Sequence, residues 1–441
     1  MPLSDCHIRR ASARFQGALG AEKLEALGHA AGFVQRRRVI TATSVFWALM
    51  LTLGTRSAEY ISDVLRALNH RENWAVRYKP FWNRLAKAAF ARWMKAVFQQ
   101  LTLELATRAL MTKKGSVLDS FTEVFLDDGS SFAVHDGLRR IFPGRFRKNK
   151  PAAVELHAHM NLLSGQMDRV SMAPDKESER QFLPPAQSLP RGSLSLRDRG
   201  YIDLGYFEEL LAAEAYLICR ATSKLNPVIV RVLAGLPRKL ARKWKGRRLQ
   251  DLRRRKLKAD LDLLLSWNRA GKPPLELRLC IRYVPEKKSW TWLLTNLPAD
   301  KFSAAVVGQL YRLRWQIELT FKEWKSYASL RAFQTANPSI VEGLIWASLC
   351  AALLKRALAF STQLALDHRK TISTRIAAMS GRQILGDLAA WAQAGFAVES
   401  FAAILVFICG NACRTHPERD RRSPARGLGL IYERNYRADK D

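Results

Sequence analysis

The stretch VELHAHMNLLSGQMDRVSMA, residues 154–173, decides how the fold is read. Val154–Leu162 and Met167–Ala173 have strand character, and Leu163-Ser164-Gly165-Gln166 between them is a turn signal, so the segment is predicted as a β-hairpin. Upstream, Val124–Leu126 is a short apolar strand running into Asp127-Asp128-Gly129, where a chain reversal is expected to leave Asp128 at the sheet's rim. Downstream, a polar helical stretch is expected at Asp175–Phe182, then a strand at Ser193–Leu196 that closes on Asp198. Asp203–Ala213 has the pattern of an amphipathic helix and Ala215–Ala221 that of a buried strand. Three strands, helix, strand, helix, strand predict an α/β fold: a mixed sheet with helices on its faces.

Farther out, residues 222–298 interrupt that order. Within them, Arg238–Lys258 carries twelve Lys/Arg against one acid, Asp251, at helical spacing, with Leu249, Leu252, Leu257 and Leu261 on the apolar side. Strands at Glu276–Tyr283 and Ser289–Leu294 are joined by Pro285-Glu286-Lys287-Lys288. A long helix is expected from near Ser303, and the chain stays helical and apolar to about 410 before an Arg-, Pro- and Gly-rich tail from Arg414 that reads as mobile. Ahead of the sheet, Ser44–Leu53, Ser57–Leu68 and Phe81–Leu105 read as helices, with a short turn at Thr55-Arg56.

Charge narrows the function. Seventy-two Lys and Arg against 39 Asp and Glu give a formal net charge of +33, which calls for a polyanion: nucleic acid first, an anionic membrane surface second. The best apolar runs, Val341–Leu354 and Phe401–Cys409, fall short of the roughly 20 residues a spanning helix needs. MPLSDCHIRRASARF at the start has no apolar h-region, so no secretory signal is read there. Six scattered cysteines fit reduced thiols in a cytoplasm, and Cys409, Cys413 and His416 lack the fourth ligand of a zinc site. His157 and His159 share one strand face and read as structural. Arg139, Arg140, Arg145, Arg147, Lys148 and Lys150, with the Arg238–Lys258 run, suit contacts to a nucleic-acid backbone.

The chemistry is read from YRLRWQIELTFKEWK, residues 311–325. On one continuous helix, Tyr311, Arg314, Glu318 and Lys325 share a sector about 60° wide, beside a core face of Leu310, Leu313, Ile317 and Trp324. Alone, Arg314 and Glu318 read first as an i,i+4 pair on a solvated face. Asp128 and Asp198, alone, read as turn aspartates. Together with Glu318 they make three carboxylates, a set that can hold two Mg²⁺ ions about 3.5–4 Å apart and serve an in-line displacement at phosphorus. Lys and Arg beside such acids suit the non-reacting phosphates.

The spacing Tyr311, Arg314, Glu318, Lys325 resembles the Tyr-Arg-Glu-Lys signature of the insertion sequence 4 family of bacterial transposases. LDDGSSF (126–132) resembles that family's first-aspartate motif, LRDRGYID (196–203) its second, and WLLTNLP (292–298) the strand before the signature helix. The resemblance covers about 120 to 330. It implies a ribonuclease H-like core with a β-containing insertion, and Asp128, Asp198 and Glu318 as the catalytic, metal-binding triad for Mg²⁺, with Mn²⁺ as a substitute. Asp127 is the rival for the first position, although the family pattern places the acid directly before Gly-Ser/Thr. Tyr311, Arg314 and Lys325 would grip phosphates, and Trp290 or Trp292 would stack a flipped base. The implied division is a helical region over 1–115 for DNA-end binding, a catalytic core over 116–221 and 299–335, the insertion over 222–298, a helical region over 336–413 suited to dimerisation, and the tail. The implied activity is cleavage at element ends and strand transfer into double-stranded target DNA by a homodimer. A non-catalytic DNA-binding derivative and a nuclease of the same fold that cuts without joining are the rivals.

Overall fold

A computed structural model describes residues 3–36, 39–54, 60–105, 111–112, 115–146, 148–164, 166–222, 224–253, 260–284, 289–327, 330, 333–366, 372–413 and 430–431. The expected turn at Thr55-Arg56, Arg147, Leu257, the Pro285–Lys288 connection, His416 and nearly all of the tail lie outside them.

The strands of the main sheet are β1 (Val124–Ala133), β2 (Ala153–Asn161), β3 (Gln166–Pro174), β4 (Leu194–Arg197), β5 (Tyr216–Arg220), β6 (Val228–Ala234), β7 (Leu261–Arg269), β8 (Lys272–Val284) and β9 (Ser289–Thr295). They form one nine-stranded sheet in the order β3-β2-β1-β4-β5-β9-β8-β7-β6. β1, β2 and β3 are an antiparallel meander, while β4 runs parallel to β1 and β5 parallel to β4. A parallel pair needs a crossover. Helix Leu204–Ala212 supplies it between β4 and β5, capped by Asp203, whose carboxylate accepts from the Gly205 and Tyr206 amides. The mixed α/β architecture is consistent with a ribonuclease H-like core. The insertion is not a separate layer: β9 pairs antiparallel with β5, so its strands extend the same sheet.

Numbered in chain order, the helices are α1 (Asp5–Leu19), α2 (Ala21–Ala30), α3 (Ala42–Leu53), α4 (Ile61–Glu72), α5 (Tyr78–Leu85), α6 (Ala88–Glu104), α7 (Leu204–Ala212), α8 (Arg238–Trp244), α9 (Leu249–Arg253), α10 (Ala304–Arg312), α11 (Trp315–Tyr327), α12 (Pro338–Ala365), α13 (Thr374–Met379), α14 (Gly381–Gln393) and α15 (Val398–Ala412). α1–α6 and α12–α15 share one core, which continues onto the sheet face that α10 and α11 cover. The other face packs against α7, α8 and α9. α12 is the axis of the helical body. Asn337 caps its start, and it buries Ile340, Leu344, Trp346, Leu349 and Leu354 among others. At about 1.5–3 kcal/mol per fully buried large apolar side chain, that face is a main source of stability. α12 is the one helix among the described residues long and apolar enough to cross a membrane, and 78% of its apolar window is buried inside the chain. Most of the apolar window of α12 is therefore packed inside the chain.

Five expectations need correction. β1 does not reverse at Gly129; its ladder with β2 continues from Gly129↔His157 to Ala133↔Ala153, so Asp128 lies mid-strand. Asp175–Phe182 is a turn and a short 3₁₀ turn at Glu179–Phe182, because Pro174, Pro184 and Pro185 leave little room for a helix. The basic run is not one helix: Gly246, at φ +82°, parts α8 from α9, and Leu261 begins a strand. Phe81–Leu105 divides at Lys87, whose extended backbone separates α5 from α6. The helix from Ser303 breaks after Arg312, and that break builds the site described next.

Candidate active site

Alternation along β1 sends its two adjacent aspartates to opposite faces of the sheet. Asp127 is 3% exposed and accepts from Arg197 Nε at 2.7 Å, with His159 Nδ1 at 2.6 Å. Burial alone would raise its pKa, but Arg197 and His159 outweigh that and hold it at about 2. Both oxygens are engaged by buried partners, so Asp127 is an internal ion-pair residue.

Asp128 faces α11. Arg314 donates to its Oδ2 at 2.7 Å, and the Gly129 amide donates to its Oδ1 at 3.0 Å. Burial pushes Asp128 up to about 6; Arg314 and the Gly129 amide restrain the rise, while Glu318 and Asp198 add to it. A second nitrogen of Arg314 donates to Glu318 Oε1. Tyr311 donates its hydroxyl to Asp198 Oδ1 at 3.3 Å, and the Arg314 guanidinium lies 5.9 Å from the Tyr311 ring centre.

The helix break makes this convergence possible. Tyr311 lies in the last turn of α10, Arg314 in the connection, and Glu318 in the first turn of α11. Backbone bonds from Leu313 N to Leu310 O, Arg314 N to Tyr311 O and Gln316 N to Leu313 O tighten the connection into 3₁₀ geometry. The single polar strip expected on a continuous helix is therefore replaced by two helix ends and a turn.

Other expected site residues lie apart from this cluster. Lys325 is half-buried, with its pKa lowered by burial first and then by Lys150, and it faces the charges of Glu155 and Asp175. Arg145 is tied to internal acids: its amide donates to Asp175 Oδ2 at 2.9 Å, and its guanidinium donates to Glu155 Oε2 at 3.2 Å. Lys148 is exposed. Trp290 and Trp292 pack against the second core, and Trp290 also lies against Tyr283, with ring centres 5.2 Å apart. Neither is brought to the cluster, which occupies the sheet's other face.

Three nearby residues escaped the sequence reading. Trp315, beside Arg314, is 55% exposed, and an exposed ring there is a surface on which a base could stack. Glu155 is buried, and its carboxyl is raised to about 7 by burial, with Glu179 and Asp175 adding and Arg145 opposing. Glu179 is raised as well, by burial first. The available signal for Glu155 was the alternation that places it on one face with His157 and His159.

Asp128, Asp198 and Glu318 offer the hard oxygens that Mg²⁺ prefers. The donor types suit such an ion. Their arrangement is held by Arg314, which stands between Asp128 and Glu318, and no three acids, histidines or cysteines among the described residues are grouped to hold one ion.

This sheet and these acids meet in a chain whose residues 119–354, more than half its length, match the family described as transposase DDE domain; the chain belongs to that family. It is similar to the transposase for insertion sequence element IS231F of Bacillus thuringiensis subsp. israelensis, 23% identical over 390 residues, which are 79% of this chain and 80% of that protein. The transposase for IS231D of Bacillus thuringiensis subsp. finitimus is 21% identical over 383 residues, 79% of each chain. The transposase for IS421 of Escherichia coli is 50% identical over 62 residues, 14% of this chain; the match spans only 17% of that relative's length.

Proposed function

We propose that the chain is the transposase of a bacterial insertion sequence with the Tyr-Arg-Glu-Lys signature of the insertion sequence 4 family. It cleaves DNA at the ends of its element and joins the freed 3′ ends to target DNA in the cytoplasm. The observation that carries this reading is the meeting of Tyr311, Arg314 and Glu318, from one helix break, with Asp128 on β1 and Asp198 just past the end of the parallel-paired β4. An inert DNA-binding derivative would have no need for that convergence.

In this reading Asp128, Asp198 and Glu318 hold Mg²⁺. Bound there, a pair of such ions would activate the attacking oxygen and stabilise the leaving one. The chain's own residues do the rest. Tyr311 fixes one oxygen of Asp198 by its hydroxyl. Gly129 fixes Asp128 through its amide. Arg314 and Lys325 hold phosphates that do not react, and Lys148 and its neighbours follow the backbone farther out. Cleavage and joining are both displacements at phosphorus, so one site serves both. Synapsis of two ends by a homodimer completes the proposal.

The test is to incubate a duplex carrying the element's terminal repeat with the protein and Mg²⁺, and to follow nicking and joined product. Wild-type protein is expected to give both, and Glu318→Gln to bind the duplex and give neither. Cleavage by Glu318→Gln at the wild-type rate would remove Glu318 from the site, and nicking without joined product would favour a nuclease.

A further inference from the structure

We infer that Arg314 is an internal counter-ion that competes with divalent metal for Asp128 and Glu318, and that DNA phosphate relieves the competition by taking Arg314 away. This deepens the proposed function and rests on it.

Arg314 bridges the two acids, one nitrogen to Asp128 Oδ2 at 2.7 Å and another to Glu318 Oε1. The bridge is shielded: Arg314 is 9% exposed, and its Nε is buried without a hydrogen-bond partner. A guanidinium in this position offsets one of the two carboxylate charges and takes oxygens that a metal ion would use, and both cannot occupy the same oxygens. The third acid is held differently, by the neutral Tyr311 hydroxyl.

Tyr311, Arg314 and Glu318 also share one short segment, with Arg314 in the turn between two helix ends rather than on a helix face. A side chain on a turn can swing outward without unwinding a helix. Its planar fork matches a phosphate as well as a carboxylate, and the unpartnered Nε is an extra donor for that exchange. When a DNA phosphate takes Arg314, Asp128 and Glu318 lose their cation and attract metal more strongly. By linkage the effect is reciprocal: metal on the acids frees Arg314 for DNA. Without DNA the two bridged acids are held partly neutralised by Arg314, which disfavours loading metal at the wrong time.

Mn²⁺ binding to the full chain, followed by electron paramagnetic resonance without DNA, tests this directly. Arg314→Gln is expected to bind Mn²⁺ about 10-fold more tightly than wild type, within the usual range of coupling between sites. Adding Asp128→Asn should abolish the gain. Arg314→Lys, which keeps the charge and loses the two-pronged bridge, is expected to lie between and guards against a Gln variant that does not fold. If Asp128→Asn weakens Mn²⁺ binding while folded Arg314 variants bind no more tightly than wild type, the competition is overturned and the metal site stands. If Asp128→Asn leaves Mn²⁺ binding unchanged in both backgrounds, the metal site itself falls, and this inference with it.

Discussion

Asp127 and Asp128 are neighbours with opposite surroundings, and their variants should separate stability from activity. Asp127→Asn leaves Arg197 buried without its carboxylate, which is expected to cost about 3–5 kcal/mol, read as a lowered denaturant midpoint. Asp128→Asn replaces a carboxyl that burial already disfavours in its charged form, so stability should change by no more than about 1 kcal/mol while DNA cleavage is lost. A large stability loss in Asp128→Asn, with cleavage retained, would reverse the two roles. His157 makes a second prediction. The nitrogens of its ring are buried without hydrogen-bond partners, Nε2 lying 3.9 Å from Glu155 Oε2, and burial, with Arg145 adding and Asp175 opposing, lowers its pKa to about 4. A folded value below the unfolded 6.5 means stability that is present above about pH 6.5 and lost as pH falls towards 4. His157→Phe, which can keep the stack on Phe182, should gain on wild type by about 2 kcal/mol at pH 5 relative to pH 8. An equal gap at both pH values would contradict the buried neutral imidazole. The preference for Asp128 rested on the family resemblance of the Gly129-Ser130 that follows it, and the ion pairs that engage Asp127 were not legible. His159 and Arg197 lie 32 and 70 residues away in sequence.

At the level of elements, the hairpin at 154–173 was legible because its turn residues interrupt two strand-like runs. The break at Arg312–Trp315 was not, since Leu313 and Arg314 are good helix formers and no Gly or Pro marks the place. A tertiary bond from Arg314 to Asp128 accompanies the break, and local propensity carries no trace of it. β6 and β7 were missed because short apolar runs fit strand and helix alike, and Leu261 had been assigned to a helix face. Packing between elements gives a third prediction. Gly343 of α12 lies so close to the Phe90 ring of α6 that a Cβ would overlap it. Gly343→Ala should lower stability by about 1–3 kcal/mol, visible as a reduced melting temperature with the DNA-cleavage site chemistry unaltered. An unchanged melting temperature would show that α6 and α12 do not meet this closely.

For the molecule as a whole, the net charge of +33 pointed to a polyanion, and membership of a transposase family agrees with DNA as that partner. The basic loop after β1 is anchored at Arg145 and leaves Lys148 exposed. Duplex affinity is expected to fall steeply with salt, and Lys148→Ala should reduce the log–log slope by about 0.9 for its one phosphate, measured by fluorescence anisotropy across a salt series. An unchanged slope would place that loop off the DNA. The central claim is that Asp128, Asp198 and Glu318, separate in sequence, hold one metal centre. Fe²⁺ in place of Mg²⁺, with ascorbate and peroxide and an element-end duplex bound, cuts the polypeptide next to wherever the ion sits. Fragments ending near residues 128, 198 and 318, all lost in Asp128→Asn, are the expected result; cleavage elsewhere, or a pattern indifferent to Asp128→Asn, would contradict the account.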